Sequence, residues 1–205
     1  MNINNINKKK SFLDYKCLDI NYKKIFGFWI YIMSDCIFFA CLFAIYMVLN
    51  NNKINFFIKK EIFNLNSVLL ETIILLTSAF TFGIAISKIN SNNIKSLNNW
   101  LFLTFLLGLT FLIIEFNELN HFIKIHIGPN YNAYMSSFFS ILFIHGAHVF
   151  FGLIWILITI LQIKTDNLIP ANKTRLICLS LFWHFLDIIW ICVFTIIYFL
   201  GYLNK

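Results

Sequence analysis

The sequence predicts an all-α protein, an integral membrane bundle of five transmembrane helices. Three observations carry that expectation. Hydrophobic residues make up 60% of the 205-residue chain and charged residues only 12%, more apolar surface than a water-soluble domain of this size can hide. The apolar residues gather in five stretches, at about 25–49, 68–86, 100–116, 138–163 and 176–203. Each is close to the roughly 20 residues of helix that cross a hydrocarbon core of about 30 Å. Finally, the lysines fall in the tail and between these stretches, hardly ever within them.

Taken in order, residues 1–24 form a polar, lysine-rich tail, expected on the cytoplasmic side. No small-residue cleavage site follows the first apolar run at signal-peptide length, so this span is expected to be retained. The second span is rich in small residues, Thr77, Ser78, Ala79, Thr81, Gly83, Ala85 and Ser87, which let a neighbouring helix approach closely. Gly128-Pro129 punctuates the chain after the third span, and Pro170 precedes the fifth. There is no internal repeat or long linker, so residues 25–203 read as one membrane domain. The 25 phenylalanines and the Asn, Ile and Lys of the polar stretches reflect an AT-rich coding bias and carry no mechanism.

The net charge of +7 does not point to nucleic acid, because the basic residues sit where membrane topology puts them. Lys8, Lys9, Lys10, Lys16, Lys23, Lys24, Lys88, Lys95, Lys164, Lys173 and Arg175 make eleven on one side, against five (Lys53, Lys59, Lys60, Lys124 and Lys205) on the other. That excess places the N-terminus in the cytoplasm and the C-terminus in the periplasm, although Lys59-Lys60 runs against the trend. Five cysteines (Cys17, Cys36, Cys41, Cys178 and Cys192) form no CxxC pair, which argues against structural disulfides and a zinc site.

The candidates for function are ionisable groups inside the spans. Placing a charge at mid-membrane costs roughly 2.5–3.5 kcal/mol, so such groups pair within a bundle or serve a pathway. Asp35 lies about ten residues into the first span, His184 about nine and Asp187 about twelve into the fifth. Both spans run outward, so the three share a depth and are expected to form a buried polar tie. Near the opposite surface, Glu71 opens the second span, Glu115 and Glu118 close the third with His121 following at the same three-residue spacing, and His145 and His148 lie in the outer half of the fourth. Glu-x-x-Glu-x-x-His resembles half of a carboxylate-bridged metal site, but the second Glu-x-x-His is missing. Hydrogen bonding at helix ends is the simpler reading.

His145 and His148 also suggest haem. A bis-histidine haem needs facing ligands at one depth, and the rise per residue separates His148 from His184 by about 9 Å, which favours histidines that bond within the protein. Trp100, Tyr131, Tyr134, Tyr198 and Tyr202 fall near expected interfaces, whereas Trp155, Trp183 and Trp190 lie deeper, between helices.

Three runs go further than composition. Lys24-Ile25-Phe26-Gly27-Phe28-Trp29-Ile30-Tyr31-Ile32-Met33-Ser34-Asp35-Cys36, His145-Gly146-Ala147-His148 and Trp183-His184-Phe185-Leu186-Asp187-Ile188-Ile189-Trp190 closely resemble subunit III of the haem-copper terminal oxidases. The resemblance spans residues 24–202. It is nearest to the bo-type ubiquinol oxidase branch, which resembles this chain in having five helices and in Leu70-Glu71-Thr72 and Cys178-Leu179-Ser180-Leu181-Phe182-Trp183-His184.

The resemblance implies a subunit that itself binds neither haem nor copper. Two haems and one copper belong to subunit I, with subunits II and IV as further partners and phospholipid held in a cleft. Its helix-one carboxylate, usually Glu, is implied to react with carbodiimide and to bear on proton uptake and protection from turnover inactivation. Asp35 stands there, one methylene shorter. The expected role is therefore non-catalytic: assembly, lipid retention and stabilisation of subunit I in a respiratory complex of the bacterial inner membrane. The rival readings are a free-standing b-type cytochrome using His145, His148 and His184, and a small proton or ion transporter built on Asp35 and Glu71. The latter lacks an inverted repeat or broken helix.

Overall fold

The computed structural model describes residues 3–49, 65–89, 94–124, 128–130, 132–166 and 170–199, with side chains from 22 onward outside positions 65–66, 166, 170–171 and 199. Five helices account for it: α1 (Ile3–Leu49), α2 (Leu65–Ser87), α3 (Ile94–Lys124), α4 (Ala133–Asp166) and α5 (Pro170–Val193), the last continued by a π-helical turn (Phe194–Phe199). Each contains a segment long and apolar enough to cross a membrane.

The helices outrun the apolar stretches that revealed them. α3 begins at Ile94 and ends at Lys124, beyond the expected 100–116, because polar residues end a hydropathy run without ending a helix. α4 starts at Ala133 in place of 138, and α5 at Pro170, where proline's fixed φ and missing N–H suit a first helical position. α1 runs back without interruption through the tail to Ile3. Lys53, Lys59, Lys60, Tyr131, Tyr202, Leu203 and Lys205 lie outside the described residues, as do the side chains of the tail lysines up to Lys16 and of Cys17.

Helices α2, α3, α4 and α5 close a ring, each packed on the next and α5 back on α2, while α1 docks outside against α4 and α5. The seams have heptad spacing. Along α2 and the turn after it the seam positions are Val68, Glu71, Leu75, Ser78, Phe82, Ala85 and Ile89, with Ala79 and Thr81 buried beside them; on α3 they are Leu97, Leu101, Thr104, Gly108, Phe111, Glu115 and Phe122, with half-buried Glu118 filling the remaining step. Alternating steps of three and four keep one stripe facing a partner at a shallow crossing angle. α1 repeats the pattern with Phe28, Ile32, Asp35, Phe39, Leu42 and Tyr46, and turns its remaining apolar surface outward.

Lipid tails are as apolar as leucine, so close packing and interhelical hydrogen bonds, more than water exclusion, hold these seams together. Trp183 of α5 shows how. Its indole sits in a notch made by two glycines: a Cβ at Gly108 would stand 2.9 Å from the ring and 2.8 Å from Leu153, and one at Gly152 would stand 3.1 Å from it. Its Nε1–H donates to Ser78 Oγ at 3.1 Å, which ties α5 to α2. One α2–α3 link is Thr81 with Thr104, hydroxyl to hydroxyl at 2.9 Å. The small residues of α2 thus serve α3 on one side and the Trp183 indole on the other.

Candidate functional site

Two polar centres lie inside the bundle. The first joins α1 to α4. The seam of α1 carries Asp35 to the α4 side, where His148 Nε2 stands 3.9 Å from Asp35 Oδ2; the two side chains are 22% and 17% exposed. That distance is too long for a direct hydrogen bond. His148 Nδ1–H donates to the Ile144 carbonyl at 2.8 Å, since a carbonyl can only accept. Nε2 is therefore the nitrogen turned to the carboxyl. Phe39 and Phe182 flank the imidazole, with ring centroids at 5.4 and 6.4 Å, and Tyr31, one turn along α1, comes within interaction range of Asp35.

This differs from the expected tie. Asp35 finds His148, while His184 is half-buried and Asp187 is 9% exposed with Oδ1 lacking a hydrogen-bond partner among the described residues. The sequence estimate set His148 about 9 Å from His184 in depth because it began α5 at 176. Starting at Pro170 lengthens the inner end of that helix and brings His148 level with Phe182, two residues from His184.

The second centre lies between α2, α3 and α4. Glu71 is fully buried, Glu115 is 4% exposed, and Glu118 is half-buried one step along the α3 seam. The three carboxyls are close enough to influence one another electrostatically. Tyr198, 2% exposed at the π-helical turn, lies within range of all three and of Tyr46. Tyr46 and Tyr134 join hydroxyl to hydroxyl at 2.6 Å, a further α1–α4 link. The carboxyl of Glu115 fits against Gly146, where a Cβ would stand 3.1 Å from Oε2.

His145, fully buried, stacks on Trp190 at 5.2 Å and meets Phe111 edge-on at 6.0 Å. Trp190 Nε1–H donates to Thr72 Oγ1 at 3.2 Å. Neither ring nitrogen of His145, neither oxygen of Glu71, nor Oε1 of Glu115 has a hydrogen-bond partner among the described residues. The expected hydrogen bonding of the histidines within the protein therefore holds for His148 and, among the described residues, not for His145.

His121 departs from its expected neighbours. The α3 seam steps from Glu118 to buried Phe122, which leaves His121 exposed, so Glu115, Glu118 and His121 do not share a face. Among the described residues no three His, Cys, Asp or Glu side chains are arranged to hold a metal ion. Tyr134 and Tyr198, expected near the interfaces, lie at the ends of their helices and turn inward to the core. Their hydroxyls can be buried because polar groups await them.

Two apolar grooves flank α4. One, of about 710 Å³, runs between α3 and α4 and includes Glu115, Phe116, Gly146 and Phe150; the other, of about 430 Å³, includes Tyr31, Ile144, His148 and Phe182. Phe143, Ala147 and Phe151 line both.

Residues 3–202 match the family model described as cytochrome c oxidase subunit III. The chain is 49% identical over 179 residues to the cytochrome bo(3) ubiquinol oxidase subunit 3 of Buchnera aphidicola subsp. Acyrthosiphon pisum, an overlap covering 87% of each chain. It is 48% identical to the protein of that name from Pseudomonas aeruginosa, over 86% of this chain and 85% of the relative. Against the quinol oxidase subunit 3 of Bacillus subtilis identity is 37%, over 86% of this chain and 87% of the relative.

Proposed function

The chain belongs to the cytochrome c oxidase subunit III family, and from that premise we propose that it is the non-catalytic third subunit of a bo-type, proton-pumping ubiquinol oxidase in a bacterial inner membrane. The observation that carries this is near-full-length similarity to relatives named as subunit 3 of ubiquinol oxidases. Its partners are subunits I, II and IV. Subunit I supplies the two haems, the copper and the oxygen chemistry, and this chain supplies packing around it.

Three features support the supporting role. The bundle is held by locked aromatic and glycine contacts, as at Trp183, which suits a scaffold. α1 lies outside the four-helix ring and leaves much of its apolar surface for neighbours. The grooves beside α4 have the apolar lining that acyl chains of phospholipid require. The N-terminal tail faces the cytoplasm and the C-terminus the periplasm, in line with the lysine distribution. Asp35, His148, His184 and Asp187, with Glu71, Glu115, Glu118 and His145, are the polar residues that matter to this role.

The test is to purify the chain from native membrane by an affinity tag on it. A complex containing a two-haem, one-copper partner is the expected result. Recovery of the chain alone with a b-type band in its reduced-minus-oxidised spectrum would overturn the reading in favour of a free-standing cytochrome. Proton flux through the isolated, reconstituted chain would favour a transporter.

A further inference from the structure

We propose that Glu71, Glu115 and Glu118, brought together from α2 and α3 beside Tyr198 and His145, form a hydrated site that binds ordered water inside the membrane-spanning bundle. The reasoning starts from unmet hydrogen-bonding capacity. Glu71 is fully buried and neither of its oxygens bonds to any described protein group, so it makes no acid-to-acid bond with Glu115 or Glu118, although both are within electrostatic range. Glu115 Oε1 is unpaired as well. His145, on the next helix around the ring, presents two nitrogens with no hydrogen-bond partner among the described residues, at zero exposure.

Leaving one such group unsatisfied costs roughly 1–3 kcal/mol, more for a charged one. Several in one place are tolerated when water supplies the missing bonds, and a buried water needs two to four polar partners. The carboxyls, the Tyr198 phenol and the His145 ring offer that many from four elements.

The surroundings define the boundary of the site. Seven residues back along α5, Trp183 fills its glycine notch and its only polar atom is bonded to Ser78. That level is dry. At the carboxyl level, Gly146 leaves space beside Glu115, and Glu115 also lines the groove between α3 and α4. Water held here lets the three carboxyls exchange protons with one another across the α2–α3 seam and gives His145 its hydrogen-bonding partner.

Hydroxyl-radical footprinting of the full chain reconstituted in lipid nanodiscs tests this independently of any oxidase partner, because radiolysis of bound water labels the side chains beside it. Trp190 and Trp183 make a matched pair, on one helix and 1% and 2% exposed. Trp190 and Tyr198 are expected to be modified at least ~5-fold faster than Trp183, because only they adjoin water with enough polar partners to stay bound. Equal rates would overturn the site. Combined Glu71→Met and Glu115→Met replacement is expected to bring Trp190 down to the Trp183 rate, and Glu71→Gln with Glu115→Gln to preserve the difference. Labelling that persists in the methionine variant would show that these carboxyls do not hold the water. If that variant fails to fold, the wild-type comparison still decides.

Discussion

Trp183 and Trp190 lie two turns apart on α5, are equally buried, and have opposite surroundings. Trp183 is enclosed by Gly108, Gly152, Leu153 and Phe182, with its single donor satisfied by Ser78. Trp190 stacks on an imidazole whose nitrogens have no partner among the described residues, lies edge-on to Phe111 at 4.7 Å, and adjoins the helix turn that carries Glu71. At the first level, fit alone specifies which helices meet. At the second, leucine-like side chains would pack the same seam at lower cost, since replacing buried polar groups by well-packed apolar ones is often neutral or stabilising. Polar groups kept there serve hydration and proton exchange in place of stability.

The sharpest way to break the comparison is to empty the dry seat. Trp183→Ala is expected to destabilise the bundle by about 3 kcal/mol, the low end for a buried tryptophan, because lipid is as apolar as the core and only packing and one hydrogen bond are lost. SDS titration of the purified chain measures it, and a loss below that of Trp190→Ala would contradict the assignment of Trp183 as the main lock. Overfilling the seat is the next test. Gly108→Ala places a methyl 2.8–2.9 Å from Leu153 and Trp183, and overpacking of this kind costs about 2 kcal/mol. Gly146→Ala meets only the mobile end of Glu115 at 3.1 Å, so the same titration should show a smaller loss there.

How much of this was legible in the sequence follows from what hydropathy can encode. The five helices were, because lipid demands uninterrupted apolar length; their ends were not, since Ile94–Trp100 and Phe116–Lys124 continue α3 with polar residues that a hydropathy window discards. The polar residues were found, but their partners were misjudged. A hydropathy start at 176 sets His148 apart from α5 in depth, so its contacts with Asp35 and Phe182 are not legible that way. The heptad seams were present in the sequence and would have helped more. Counting Leu97, Leu101, Thr104, Gly108, Phe111, Glu115, Glu118 and Phe122 by alternating fours and threes puts both carboxylates inside and His121 outside. The glycine notch was not legible at all, because Gly108, Gly152 and Trp183 meet only once three helices are packed.

The smallest expected effect concerns the link between α1 and the ring. Tyr46 and Tyr134 share a hydrogen bond of 2.6 Å at the carboxyl level, while Phe28, Ile32 and Phe39 hold the rest of the α1 seam by packing. Interhelical hydrogen bonds in membranes average about 0.6 kcal/mol, because the separated helices find other partners. Tyr46→Phe keeps the ring contact with Tyr134, centroids 5.1 Å apart, and removes only the hydroxyl. Stability in SDS should fall by about 0.6 kcal/mol, well short of the loss at Trp183. A loss of several kcal/mol would mean that the phenol belongs to a continuous hydrogen-bonded chain running through Tyr198 to the three glutamates, and the polar level would then hold α1 as firmly as packing holds α5.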